Sequence, residues 1–402
     1  MDDLPRIDTN GGSVVQGNVT TGRDFVGRDK ITNIFGLARW QTYLLLLSAL
    51  LIATTLLVVI SPYLRARLMA PTSLPDPTHL QPVSSSRAIE ITALAVDQQK
   101  LWGGAQQDGK FFLFQGNLAA GTSIGLKPLY YTENQILDLH VDCYGNLWLL
   151  INAVGTVAYN PVTGATSTVI NRQTPGSTLS TDTMYAIASQ CNPDGNASVW
   201  LGRAGVHTLQ YDQTDRTFTQ LHFVPISEDV AFQATQAISD VRGLLFTGGL
   251  VWVAGNGQKG QLLAFSPTGM TTPETFTLDE GLLTLAEPAT GGAIWAGGYT
   301  KLFSVAVDRQ PNAVNLVDKD HQSLNTRAHV LAIDSVYVWL GDDCSTSSNA
   351  ACCPLAVYIP KDQFTTCVTK QIKNVSALTI DPAGNVWIGA DSGLFVYLHR
   401  LS

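Results

Sequence analysis

The chain has 402 residues, of which 45% are hydrophobic and only 14% charged, with 24 Lys/Arg against 32 Asp/Glu and a net charge of −8. That length is enough to bury a large core and to form two or three domains. Residues 1–40 hold five charges of each sign, so the later chain carries the whole acidic excess. Such a body repels a phosphate backbone, and no basic stripe interleaved with aromatics offsets the repulsion. Nucleic acid is therefore not an expected partner.

Residues 1–39 form a Gly-periodic N-terminal segment. The stretch "GGSVVQGNVTTGRDFVGRDKITNIF" (11–35) places Gly17, Gly22 and Gly27 five residues apart, with Val14, Val19, Phe25/Val26 and Ile31 in step. This period suggests small stacked β-turns that self-associate, because one chain offers too few coils to bury a core. A flexible polar tail is the alternative. The phrase "GNVTTGRDFVGRDKI" resembles a short motif found ahead of varied effector and sensor domains in bacterial signalling and conflict proteins; the resemblance covers about 20 residues and implies no chemistry. The Gly-x-x-x-x-Gly-Lys-Ser/Thr pattern of a phosphate loop is absent.

Between Arg39 and Arg65 lies "WQTYLLLLSALLIATTLLVVISPYL", which contains no charge. As a helix rising about 1.5 Å per residue it spans a bilayer core of roughly 30 Å. Trp40 and Tyr43 at one end and Tyr63 at the other fit the membrane interfaces, and Pro62 is a natural stop. A buried core helix would show a polar stripe, and a cleaved signal peptide would have a shorter apolar run nearer the start of the chain. The reading is one transmembrane helix at 40–64. Arg23, Arg28, Lys30 and Arg39 outnumber Arg65 and Arg67 across it, which places the N-terminus inside and the rest of the chain outside the cell membrane. The following "APTSLPDPTHLQPVSSS" (70–86), rich in Pro and Ser, reads with residues 65–69 as an extended spacer.

From residue 87 the pattern changes to short alternating strands separated by Gly, Asn and Asp. Besides Trp40 there are seven tryptophans, Trp102, Trp148, Trp200, Trp252, Trp295, Trp339 and Trp387, spaced by 46, 52, 52, 43, 44 and 48 residues. Each follows a strand rich in small or β-branched residues: "ITALAV", "ILDLHV", "MYAIAS", "VRGLLF", "LLTLAE", "VLAIDS", "VSALTI". A Gly-containing turn and two further strands follow, as in "GTVAY" then "TSTVI". Four short antiparallel strands repeated at this interval are blades, so residues 87–402 read as an all-β, seven-bladed β-propeller preceded by the transmembrane helix. The first strand of each blade lines the central channel. The Trp lies in the second strand, wedged between blades, with its indole N–H on a carbonyl. The seventh unit lacks a fourth strand at its C-terminal end, and residues near 83–89 ("VSSSRAI") are expected to supply it and close the ring.

The unit "PGSTLSTDTMYAIASQCNPDGNASVWLGRAGVHTLQYDQTDRTF" (175–218) resembles the two-component regulator propeller repeat, in which Asp-x-x-Gly-Asn-x-Trp-Ile-Gly follows the inner strand. The units around Trp148 and Trp387 match nearly as well. Those around Trp102, Trp252, Trp295 and Trp339 keep the Trp and lose the turn. The resemblance spans about 315 residues and implies an extracytoplasmic sensory module. The chain departs from the family plan, because its helix precedes the propeller and no kinase, receiver or DNA-binding module is legible. Only a sensory or binding role therefore carries over.

Cys143 and Cys191 fall at near-equivalent places in consecutive blades, while Cys344, Cys352, Cys353 and Cys367 cluster in the sixth unit. An even count in a polar setting reads as disulfides formed in an oxidising compartment. The spacing suits no metal, and no cofactor is implied. None of the seven histidines forms a metal or triad motif, and His140 and His207 read as core residues. The Asp-x-x-Gly-Asn turns look like calcium loops only superficially.

A site, if present, belongs at the channel mouth, on the loops joining second to third strands and those joining blades. The candidates there are Arg203, Asn256, Tyr299, Asp342, Asp343 and Asp391, suited to a small polar ligand or a protein partner. The functional expectation is a non-catalytic, membrane-anchored binding or sensory propeller. A propeller-type lyase or glycan hydrolase, and a cytoplasmic scaffold, are the alternatives.

Overall fold

The computed structural model describes Ser48, residues 74–83 and residues 89–399, apart from 213, 216, 225–237, 268–273, 289–290, 306–309 and 345–351. The expected N-terminal repeat lies outside the described residues, as does the expected membrane span apart from Ser48. Among the described residues no helix is long and apolar enough to cross a membrane.

Residues 89–399 form seven antiparallel sheets, the blades of a propeller. Blade 1 runs Glu90–Asp97, Lys100–Gln107, Lys110–Asn117 and Lys127–Thr132 in sequence and in space. Blade 3 begins at Ala186–Cys191, blade 4 at Val241–Thr247, blade 5 at Leu282–Ala286 and blade 6 at Val330–Ile333, each ordered in the same way. Burial falls off radially. Second strands such as Leu147–Ile151 and Val386–Ala390 are buried at every position, because a blade covers each face. Outer strands such as Glu274–Thr277 and Pro311–Asn315 have no buried residue.

The seven repeat tryptophans occupy seven separate hydrophobic clusters, each shared with the blade that follows. Trp148 packs with Val199, Leu209 and Tyr211 of blade 3, and Trp339 with Val386, Ile388 and Tyr397 of blade 7. Trp387 packs with Ile91, Leu101 and Phe114 of blade 1, which completes the circle. Burying a ring of this size stabilises by about 5 kcal/mol, from roughly 200 Å² at about 25 cal/mol/Å². The expected carbonyl partner is replaced by a carboxylate where the partner is seen. The indoles of Trp148, Trp339 and Trp387 donate to Asp142, Asp334 and Asp381 at 2.8, 2.7 and 3.0 Å.

Two expectations shift in detail. Ring closure does come from the N-terminal side, but the closing strand is Leu80–Pro82, inside the stretch read as spacer, rather than 83–89. It pairs Leu80 with Tyr397, Gln81 with Val396 and Pro82 with Phe395. Pro82 fits because an outer strand leaves one N–H side unused. Asp76 anchors the segment by donating its backbone N–H to the Tyr397 hydroxyl at 3.1 Å and capping the turn Pro77–His79. Secondly, blade 2 has three strands, Ile136–Val141, Leu147–Ile151 and Gly155–Tyr159. The stretch "TSTVI" makes only bridges at Thr166 and Ile170, since the Ser167 hydroxyl takes the Ala158 N–H in place of a backbone carbonyl. All six cysteines are paired: Cys143–Cys191 across blades 2 and 3, Cys344–Cys352, and Cys353–Cys367 within blade 6.

Candidate functional site

The first strands of all seven blades wall a cavity of about 360 Å³ on the propeller axis. Its geometry follows from one recurring irregularity. In blades 1, 2, 4, 5 and 7 the pairing of first and second strands slips by one residue, skipping Thr92, Leu137, Arg242, Leu283 and Ser376. A bulge residue leaves the ladder and its side chain is re-aimed; here all five line the cavity. Tyr185 and His329 occupy the matching places in blades 3 and 6, just ahead of their strands, where their N–H groups bond Gly202 and Gly341. The mouth is thus a ring of seven equivalent positions, one per blade.

Two positions further along each strand, a second ring is aliphatic. Leu94, Ile187, Leu244, Leu285, Leu331 and Leu378 line the cavity beneath the mouth. Polar groups above and an apolar floor below give the channel an amphipathic interior.

The polar character concentrates on the side of blades 3 and 4. Arg203 and Arg242 both pair with Asp240, Arg242 through Nε at 3.0 Å. Both guanidinium carbons lie 4.0 Å from the Tyr185 ring centroid, a cation–π contact that holds the arginines in place. Gly243, next to Arg242, lets blade 5 approach closely, because a Cβ there would come within 2.8 Å of the Leu285 backbone nitrogen. His329 lies across the ring; burial lowers its pKa, against the opposing pull of Asp343 and Asp342. Asp138, on the blade 2 wall, accepts the Leu139 N–H at 2.8 Å, and burial pushes its carboxyl up to about 7. The wall therefore holds a fixed cation, a neutral imidazole and a carboxyl that changes charge near neutrality.

The six residues expected at the mouth sit around this cavity rather than in its wall. Arg203 comes closest, through Tyr185. Asn256 braces Asp240, donating from its backbone N–H at 2.7 Å and from Nδ2 at 3.2 Å, and it accepts from the Tyr299 hydroxyl at 3.4 Å. Asp342 is buried and structural: it accepts the Arg327 N–H at 2.9 Å and its carboxyl is raised by burial. Asp343 acts on His329 through its charge. Asp391 bonds Asn374 on the far side and, after burial, is the second cause raising the Glu90 carboxyl.

Sequence reasoning missed Tyr185, Arg242, His329 and Asp138. A signal was available. The second letter of "ITALAV", "ILDLHV", "MYAIAS", "VRGLLF", "LLTLAE" and "VSALTI" is the mouth residue in each blade. A Tyr and an Arg there break an otherwise small or aliphatic column. His140 and His207 are bonded: His140 Nε2 meets Ser189 Oγ at 2.7 Å, and His207 meets Thr178 and Ala204.

No family model matches the sequence, and no curated protein matches it. Among solved structures the chain is similar to the extracellular domain of a hybrid two-component system of B. thetaiotaomicron, at 16% identity and a TM-score of 0.54, over 80% of this chain and 40% of that one. The chain spans less than half the length of that neighbour. It is also similar to virginiamycin B lyase from Staphylococcus aureus, at 11% identity and 0.54, over 80% of this chain and 98% of the lyase. A streptogramin B lyase structure matches at 13% identity and 0.53, over 81% and 95%. At these identities the likeness establishes the propeller fold, on which unrelated sites are built.

Proposed function

We propose that the chain is a membrane-anchored, non-catalytic propeller that binds a small ligand at its channel mouth outside the cytoplasm, as a sensory or binding module. The observation that carries this is the cavity on the propeller axis, whose wall presents Tyr185, Arg242 and His329 beside a ring of aliphatic side chains. Small-molecule sites are concave, largely apolar and fitted with a few convergent polar groups. Three disulfides support an oxidising compartment, and the apolar stretch at 40–64 supports the anchor. The likeness to an extracellular domain of a two-component system agrees with this placement. The Gly-periodic segment 1–39 would then lie inside and self-associate.

The test is thermal unfolding of the protein in the presence of small-molecule fractions from extracellular medium. Stabilisation by a fraction, abolished in Leu244→Trp, which fills the floor, is the expected result. Stabilisation that survives the filled channel would overturn the assignment.

One observation favours a second reading, a lyase of the kind seen among the fold's neighbours. Asp138 and His329 share one cavity, and a carboxyl titrating near neutrality suits general acid–base work. Turnover of a bound fraction, lost in both Asp138→Asn and His329→Gln, would decide for it.

A further inference from the structure

We propose that the channel site selects a small monocarboxylate with an apolar body, and that Arg242 is the residue that binds its carboxylate. The inference rests on the channel being the binding site, as argued above, and names the chemistry of its ligand.

The first ground is where Arg242 sits. It is the bulge residue of blade 4, so it leaves the strand ladder and enters the cavity wall. Its Nε is committed to Asp240, but among the described residues its two Nη groups have no hydrogen-bond partner in the protein. A guanidinium held at one edge presents the remaining N–H groups in a fixed fork, the geometry that accepts a carboxylate. Tyr185 and Asp240 fix that fork from two directions, so little side-chain freedom is lost on binding.

The second ground is the charge count. Arg203, Arg242 and Asp240 together leave one positive charge at this side of the mouth. The cavity wall adds Asp138, and Asp343 stands behind His329. With the Asp138 carboxyl raised to about 7, one uncompensated cation at this side of the mouth suits a single negative charge below neutral pH, and a phosphate dianion would be under-compensated.

The third ground is the floor. Six aliphatic side chains from six different blades line the cavity below the arginine, with Asp138 and Thr284 as the polar groups in the layer between. They offer nothing to a second polar group and favour burial of a hydrocarbon body. At about 360 Å³ the cavity is at the small end of the range for small-molecule sites.

The experiment measures binding of hexanoate, hexanamide and inorganic phosphate to the full chain by calorimetry, at low and high salt. Hexanoate is expected to bind at least tenfold more tightly than either of the others, and to weaken as salt rises. Arg242→Met should cost at least tenfold in hexanoate affinity, with Arg242→Lys recovering part of it; equal unfolding temperatures of the two variants would show that neither is misfolded. Equal binding of hexanoate and hexanamide, unaffected by Arg242→Met, would overturn the carboxylate claim and leave the channel site standing. Phosphate binding as tightly as hexanoate would overturn the apolar-body claim. If none of the three binds while a fraction from medium still stabilises the protein through the channel, the ligand class is wrong and the channel reading survives. If no fraction binds either, both fail together.

Discussion

The Trp148 indole donates to Asp142 Oδ2 at 2.8 Å, and the same carboxylate takes the hydroxyl of Tyr211 from the next blade. Asp142 Oδ1 meanwhile accepts the backbone N–H groups of Tyr144 and Asn146, each at 2.9 Å. One side chain thus shapes a hairpin turn, fixes the core Trp and ties two blades. Burial, with the Asp142 charge as the next cause, raises the Tyr211 phenol well above its ordinary pKa, so it stays a donor. A carboxylate whose oxygens are filled by N–H and O–H donors has no lone pairs left for calcium, which explains why these turns resemble metal loops without the chemistry of one.

Asp142→Ala removes the acceptor of five donors, three of them on the buried side chains of Asn146, Trp148 and Tyr211, of which Asn146 Nδ2 keeps the Tyr211 hydroxyl. At about 1–3 kcal/mol for a buried unsatisfied group, the loss should be at least about 3 kcal/mol in urea unfolding. Asp381→Ala, which lacks a Tyr211 equivalent, should cost less. Equal losses would show that the inter-blade hydroxyl adds nothing.

The Cys143–Cys191 bond spans 48 residues and joins two blades, whereas Cys344–Cys352 closes only 8. Chain-entropy scaling gives about 4 kcal/mol for the longer loop and about 2.5 for the shorter. Replacing the first pair with Ser should therefore lower the unfolding temperature more than replacing the second.

Ring closure depends on ten residues. Removing residues 1–83 would expose the edge Gly393–Tyr397 and leave Val396 and Leu394 without cover from Val83. That variant should aggregate or lose several degrees of stability relative to one lacking residues 1–72. Matching stabilities would mean that Leu80–Pro82 contributes nothing to closure.

Asp138 gives the protein a pH signature. Its folded pKa, about 7, lies above the ordinary carboxylate value, so the folded state binds more protons between about pH 4 and 7. Stability then falls as pH rises through that window. Asp138→Asn should be more stable than the parent at pH 8 by roughly 2–4 kcal/mol, with the difference largely gone at pH 4. As pH rises through about 7 the emerging Asp138 charge opposes an anion at Arg242. Hexanoate affinity should therefore decline above pH 7; an affinity flat from pH 5 to 9 would remove Asp138 from the site.

The architecture was legible because it rests on composition at fixed intervals: a Trp every 43 to 52 residues, after a small-residue strand. The Asp-to-Trp bond was harder to see. Asp334 serves Trp339 from five residues away, whereas Asp142 and Asp381 serve theirs from six, so blade 6 looked as if it had lost the turn. The site was half legible. Loop position led to residues around the cavity, of which Arg203 and Asn256 contact Asp240, the partner of Arg242. The wall itself comes from bulges, which insert a residue without changing composition. A one-residue slip that turns Arg242 inward leaves no mark in a single sequence except the misfit of an Arg in an apolar column. The closing strand was misplaced by a few residues because "LQPV" and "VSSSRAI" offer similar short extended stretches, and only pairing with Leu394–Tyr397 chooses between them.

A propeller displayed outside the cytoplasm, as proposed, keeps its cysteines bonded. Cys143 is exposed at the end of the inner strand of blade 2 and reports on this directly. The measurement is labelling of intact cells with a membrane-impermeant thiol reagent, before and after treatment with an impermeant reductant. The expected result is no labelling before reduction and strong labelling after it, lost in Cys143→Ser/Cys191→Ser for that pair. Labelling that appears only after lysis, and without any reductant, would place a reduced propeller in the cytoplasm and contradict the claim.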